Sequence, residues 1–149
     1  MAVTDPLGNT TNFGYYETQK LKSITDPNGN TTTWNIDIEG RVTVTQYPDS
    51  TTVTDTYENT TSRLKGVTDR LGQMKNYQYT ADNRLAGINY KNALNPTPDV
   101  GFAYDPDFPR IVTMTDGTGT TAYSYVPVGV LGALRLKREI GPAPGSEIA

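Results

Sequence analysis

Apolar and polar positions alternate along this chain in short runs, each closed by a cluster of turn formers. In "TTNFGY", Phe13 and Tyr15 fall on one side of an extended backbone while Asn12 and Gly14 take the other, the two-residue period of a strand. The stretch before it contains Asp5, Pro6 and Gly8 in an Asp-Pro-x-Gly turn. Proline sets φ at about −65° there, and glycine supplies the positive φ that follows. A second polar turn then leads into a strand carrying Leu21. Leu21 and Ile24 lie three apart, which breaks strict alternation, so the pattern predicts a bulge or a strong twist that turns both to one face. Helical periodicity is missing over almost the whole length.

The same phrase returns. Asp5 and Asp26 stand 21 residues apart, Asp26 and Asp69 stand 43 apart, and Asp116 lies 47 beyond Asp69. That is one period, then two, then two with an insertion around "NALNPTPDV". Periods of this size belong to repeat architectures in which each unit is one supersecondary element. "VTDPLGNTTNFGYYETQKLKS" aligns without gaps on "ITDPNGNTTTWNIDIEGRVTV" and on "VTDRLGQMKNYQYTADNRLAG". Units start near Val3, Ile24, Thr45, Val67, Ile88 and Val112, with a partial seventh from about Leu134. The unit from Thr45 is degenerate, with "QYPDS" in place of the Asp-Pro-x-Gly turn.

The signature positions follow from the alignment. They are Asp5, Pro6, Gly8, Phe13, Tyr15 and Leu21, then Asp26, Pro27, Gly29, Trp34, Ile36, Arg41 and Val42. Asp69, Gly72, Tyr77, Tyr79, Arg84 and Leu85 repeat them, as do Phe102 and Tyr104, and Asp116, Gly119, Tyr123 and Tyr125. Lys20 falls in register with Arg41 and Arg84. The expected fold is all-β: tandem antiparallel hairpins of about 21 residues, arranged as a single array over residues 1–149.

Composition agrees with this and removes most chemistry. The chain has 149 residues, of which 35% are hydrophobic and 19% charged, so Thr, Asn, Gly, Pro and Ser dominate the remainder. The net charge of −3 carries no basic stripe suited to a phosphate backbone, which argues against nucleic acid. Arg135, Lys137 and Arg138 are the only cationic cluster, read as a solvated strand face. Cysteine and histidine are absent, so disulfides, thiolate or imidazole metal sites and Ser-His-Asp catalysis are excluded. No apolar stretch approaches 18 residues, and "MAVTDPLG" has neither a basic nor an apolar targeting segment. Neither membrane insertion nor a cofactor is expected.

Three candidate chemistries remain. Asp105 and Asp107 in "YDPDFP" are the closest acidic pair for a carboxylate-dependent hydrolase, though turn residues beside prolines read as structural. Asp26 to Asn30 and Asp116 to Gly119 gather oxygen ligands but lack the EF-hand spacing, and Asx-turn capping accounts for them. The row of aromatic side chains could stack on carbohydrate. Its occupants recur at one slot of each unit, which repeat packing requires.

The units resemble the YD repeats of the Rhs family, found also in insecticidal ABC toxin complexes and in teneurins. "GRVTV" at Gly40 to Val44, "ITDPNGNTTTW" at Ile24 to Trp34 and "FAYDP" at Phe102 to Pro106 carry the resemblance. The naming dipeptide is often altered: Tyr16-Glu17, Tyr57-Glu58 and Tyr79-Thr80 stand near its place. The resemblance implies a long sheet of hairpins coiling into a hollow shell around a toxin or cell-surface cargo, in a secreted or surface-associated bacterial protein. It implies a structural, non-enzymatic role, with this chain a section of wall cut from a longer one. The self-cleaving segment and variable toxin that commonly follow such shells are not recognisable. Expected partners are adjacent repeats or other copies meeting at sheet edges. A carbohydrate- or receptor-binding β module with an exposed aromatic row is the alternative.

Overall fold

A computed structural model describes residues 1–143, 145, 147 and 148. The fold is all-β, with no helix among these residues. The chain forms two compact units, Met1–Met74 and Lys75–Ala149, and each is an open antiparallel meander in which every strand pairs with its neighbour in sequence.

The first unit contains β1 (Ala2–Thr4), β2 (Thr10–Tyr15), β3 (Leu21–Thr25), β4 (Thr31–Ile36), β5 (Val42–Gln46), β6 (Thr52–Tyr57) and β7 (Leu64–Thr68). β8 (Met74–Tyr79) starts at its last residue. The second unit continues with β9 (Leu85–Lys91), β10 (Val100–Tyr104), β11 (Ile111–Asp116), β12 (Gly119–Tyr125), β13 (Leu136–Ile140) and β14 (Glu147–Ile148).

Register explains the uneven spacing of apolar residues. Phe13 lies opposite Ile24 and Gly14 opposite Ser23, but Tyr15 lies opposite Leu21, so Lys22 is an extra residue in β3. This bulge puts Leu21, Ile24, Phe13 and Tyr15 on one face, because the added residue reverses the alternation once. The same step recurs at Thr43, Lys65, Val112 and Lys137. It is a regular part of the hairpin.

Each unit is a single layer. No hydrophobic residue among those described is buried, whereas a domain ordinarily closes two layers over its core. Phe13, Trp34 and Tyr77 are all half-buried. Their faces are shielded by neighbouring side chains along the sheet rather than by a second sheet.

Candidate functional site

The turns are built from one aspartate each. Asp26 Oδ1 accepts the Asn28 and Asn30 backbone N–H groups at 2.9 and 2.8 Å, while Oδ2 accepts the Asn30 side-chain amide at 2.8 Å. Asp5 holds Leu7 and Asn9 in the same way, and Asp69 holds Leu71 and Gln73. Gly8, Gly29 and Gly72 follow with φ of 87°, 85° and 77°, the left-handed region open to glycine at little cost. Tyr47-Pro48-Asp49-Ser50 makes the equivalent turn without glycine: Ser50 N–H donates to Tyr47 O at 2.9 Å, with Ser50 at φ 66°. Asp116 caps a shorter turn through the Thr118 N–H and hydroxyl, and Gly119 has φ 129°.

The polar turn at the opposite end uses the same device with a different last partner. Asp37 accepts the Glu39 and Arg41 N–H groups at 3.0 and 2.9 Å, then the Arg41 Nε at 2.7 Å. Where Asn30 ends its turn with an amide, Arg41 ends its turn with a guanidinium. Asp105 and Arg110 are joined likewise, with Nε at 2.8 Å and Nη2 at 2.7 Å from Oδ2. Glu58 holds Arg63, and Asp82 pairs with Arg84.

These arginines are where one hairpin grips the next. The Arg41 guanidinium carbon lies 4.4 Å from the centre of the Tyr57 ring, and the Tyr57 hydroxyl donates to Val42 O at 2.8 Å. Arg84 stacks on Tyr104 at 4.5 Å, and that hydroxyl reaches Leu85 O at 2.8 Å. Arg110 stacks on Tyr125 at 4.2 Å, and the hydroxyl reaches Ile111 O at 2.6 Å. In each clamp the ring lies under an arginine and the hydroxyl bonds the carbonyl of the residue after it. Cation and ring attract through the ring quadrupole, and the planar fork of arginine serves the acid and the ring together. Arg70 stacks on Tyr47 at 3.8 Å and bonds Asp49 and Thr51 on the opposite rim.

The sequence signature falls into three groups. Asp5, Asp26, Asp69 and Asp116 with their glycines shape turns, as do Pro6 and Pro27. Phe13, Trp34, Tyr77, Phe102 and Tyr123 stand at one strand position, with Tyr15, Ile36, Tyr79, Tyr104 and Tyr125 two residues on. Leu21, Val42 and Leu85 begin the partner strands, directly after Lys20, Arg41 and Arg84. The naming dipeptide maps to Tyr15-Tyr16 rather than Tyr16-Glu17, since Tyr16 N–H donates to Lys20 O just as Asp37 N–H donates to Arg41 O. Tyr57, Glu58, Arg63 and Arg110 complete the site without having been among the signature positions. The signal for them was an acid followed within a few residues by an arginine. The third unit puts Asp55, opposite Val67, where the others carry a ring, and burial raises its carboxyl above the ordinary value.

The turn acids, unlike Asp55, are poor proton donors. A backbone bond from Asp107 and then the Arg110 side chain hold the Asp105 carboxyl below its usual value. Asp107 belongs to the same turn, its N–H 2.9 Å from Asp105 Oδ1. The Asn30 amide lowers Asp26 in the same sense. Both carboxylate oxygens of Asp5, Asp26, Asp37, Asp69 and Asp105 are already acceptors within their own turns. Among the described residues no group of three or more acidic side chains is placed to hold a metal, and no helix is long and apolar enough to cross a membrane.

Solved structures share this architecture. The chain is similar to the Photorhabdus luminescens Tc holotoxin pore carrying a TccC3 mutation, at 15% identity and TM-score 0.71 over 93% of this chain and 8% of that one. It is similar to the TcdB2–TccC3–Cdc42 structure, at 17% identity and TM-score 0.68 over 88% of this chain and 7% of the other. TcdB2–TccC3 without its hypervariable C-terminal region matches at 18% identity and TM-score 0.64, over 78% and 6%. The likeness is one of fold. This chain spans less than a tenth of the chains it matches, and those structures are Tc toxin components, the group the sequence resemblance indicated. No protein-family model matches the chain, and no curated protein matches it by sequence.

Proposed function

We propose that this chain is a non-enzymatic section of wall in a YD-repeat shell of a larger secreted or surface-associated protein, where it encloses or displays a cargo. The observation that carries the reading is the clamp. Its acid, arginine, tyrosine and carbonyl recur from hairpin to hairpin, so the side chains best placed for chemistry are spent on holding strands together. The single-layer build supports it, because a sheet without a second layer leaves one apolar face that a curved, closed wall would shelter. Adjacent repeats of a parent chain are the natural partners, and nucleic acid and membrane are not.

Cryo-electron microscopy of the complete polypeptide that the gene encodes tests this. The expected result is a hollow particle with Phe13, Trp34 and Tyr77 lining its inside. A solid domain, or the aromatic row open to bulk solvent, would sink the enclosure role. The half-buried row gives the carbohydrate-binding reading its remaining support, and a glycan array separates the two: shell wall predicts no saturable binding. The hydrolase reading has weaker support, since Asp105 is fully engaged by Asp107, Phe108 and Arg110.

A further inference from the structure

The joint between hairpins at Ile36 lacks the clamp. Ile36 lies opposite Val42 across a bulge, as Tyr57, Tyr104 and Tyr125 lie opposite Leu64, Ile111 and Leu136. It therefore holds the clamp position without a ring or hydroxyl. Lys20 stands in the arginine position, and its amine donates to Gly40 O at 2.6 Å. Tyr16, one residue off the clamp position, ties its hydroxyl to Trp34 O at 2.7 Å. Beside Ile36 is a hollow of about 250 Å³ lined by Lys20, Leu21, Trp34, Ile36, Gly40 and Val42. Leu21 follows Lys20 as Val42 follows Arg41, so its carbonyl corresponds to the acceptors that the Tyr57, Tyr104 and Tyr125 hydroxyls use.

The geometry points to this hollow as a binding site for a para-substituted phenol. Leu21, Ile36, Val42 and the Trp34 indole offer apolar walls to the ring. The Lys20 amine at the rim supplies the cation that favours a ring face. The Leu21 carbonyl supplies an acceptor for the hydroxyl. The ligand chemistry is the one that the Tyr57, Tyr104 and Tyr125 clamps already use within this chain. A free ligand loses translational freedom that a tethered side chain keeps, so affinity is weak, on the order of millimolar. The inference rests on the repeat geometry and stands apart from the wall role.

A titration with 4-methylphenol, followed on backbone amide and indole resonances, tests it. Saturable shifts are expected at Lys20, Leu21, Trp34, Ile36 and Val42, with toluene several-fold weaker because it lacks the hydroxyl. Ile36→Tyr supplies the ring in cis, so it should abolish those shifts and raise Tm by several degrees. Lys20→Met, which leaves the strands intact, should weaken binding several-fold and serves if the first variant does not fold. N-acetyltyrosinamide tells the sources apart: tighter binding than 4-methylphenol assigns the site to a tyrosine side chain, weaker binding to a small phenol. Shifts spread evenly over the aromatic face, equal affinity for toluene, or binding unchanged by both variants would overturn the proposal.

Discussion

The Tyr104 hydroxyl reaches across to Leu85 O on the neighbouring strand, and its ring carries Arg84 on one side. Removing only the hydroxyl leaves packing nearly unchanged, so Tyr104→Phe isolates the hydrogen bond. The expected loss is about 1 kcal/mol, read as a fall in Tm of roughly 2–4 °C for a chain of this size. An unchanged Tm would mean that the clamp is only a contact. The turn acids act at the same scale but with a pH signature. Asp5, Asp26, Asp37, Asp49, Glu58, Asp82, Asp105 and Asp116 all have folded carboxyls held below their ordinary values. In Asp37, burial works against this and the Arg41 bonds outweigh it. A depressed folded value stabilises the fold above the unfolded pKa and loses that contribution as pH falls through the folded one. Tm should therefore stay level from neutrality to about pH 5 and drop below about pH 4. Asp55 runs the other way: its raised value favours folding at low pH, and that contribution fades as pH rises. A Tm that climbs steadily on acidification would contradict the dominance of the turn acids.

At the scale of the element, the bulge does the sorting. Lys22 is exposed and unpaired across the ladder, yet its presence decides which face Leu21 occupies. Lys22→Ala should change Tm by no more than a degree or so, since an exposed side chain is lost. Deleting Lys22 should be far more damaging, because a one-residue slip sends Leu21 to the opposite face. Thermal unfolding of both variants gives the comparison, and similar losses would show that the register is not fixed by the bulge. The spacing of Leu21 and Ile24 made this irregularity legible beforehand. The clamp was less so: Arg41 and Arg84 were in register, but nothing in their neighbourhoods named Tyr57 and Tyr104 as the rings beneath them.

For the whole molecule, the consequence is an unsatisfied edge. β1 stands at the edge of the sheet, paired with β2, and its residues Ala2–Thr4 are exposed. A row of free N–H and C=O groups is a template for another strand. Sedimentation equilibrium should show association that grows with concentration, and Val3→Lys at this edge should suppress it. A clean monomer at high concentration would refute edge pairing.

By itself the sequence determined the period, the strand and turn alternation, the aromatic slot and the aspartate turns. Each of these depends on contacts within about four residues, so neighbouring letters encode them. Only the tertiary structure decided that the arginine closing one turn would lie on a tyrosine of the next hairpin, since Tyr57 and Val42 are 15 positions apart and Tyr104 and Leu85 are 19. It also decided that the joint at Ile36 would carry a hollow in place of a ring. Such partners are chosen by strand register, and register is a property of the paired backbones that no single stretch of chain contains.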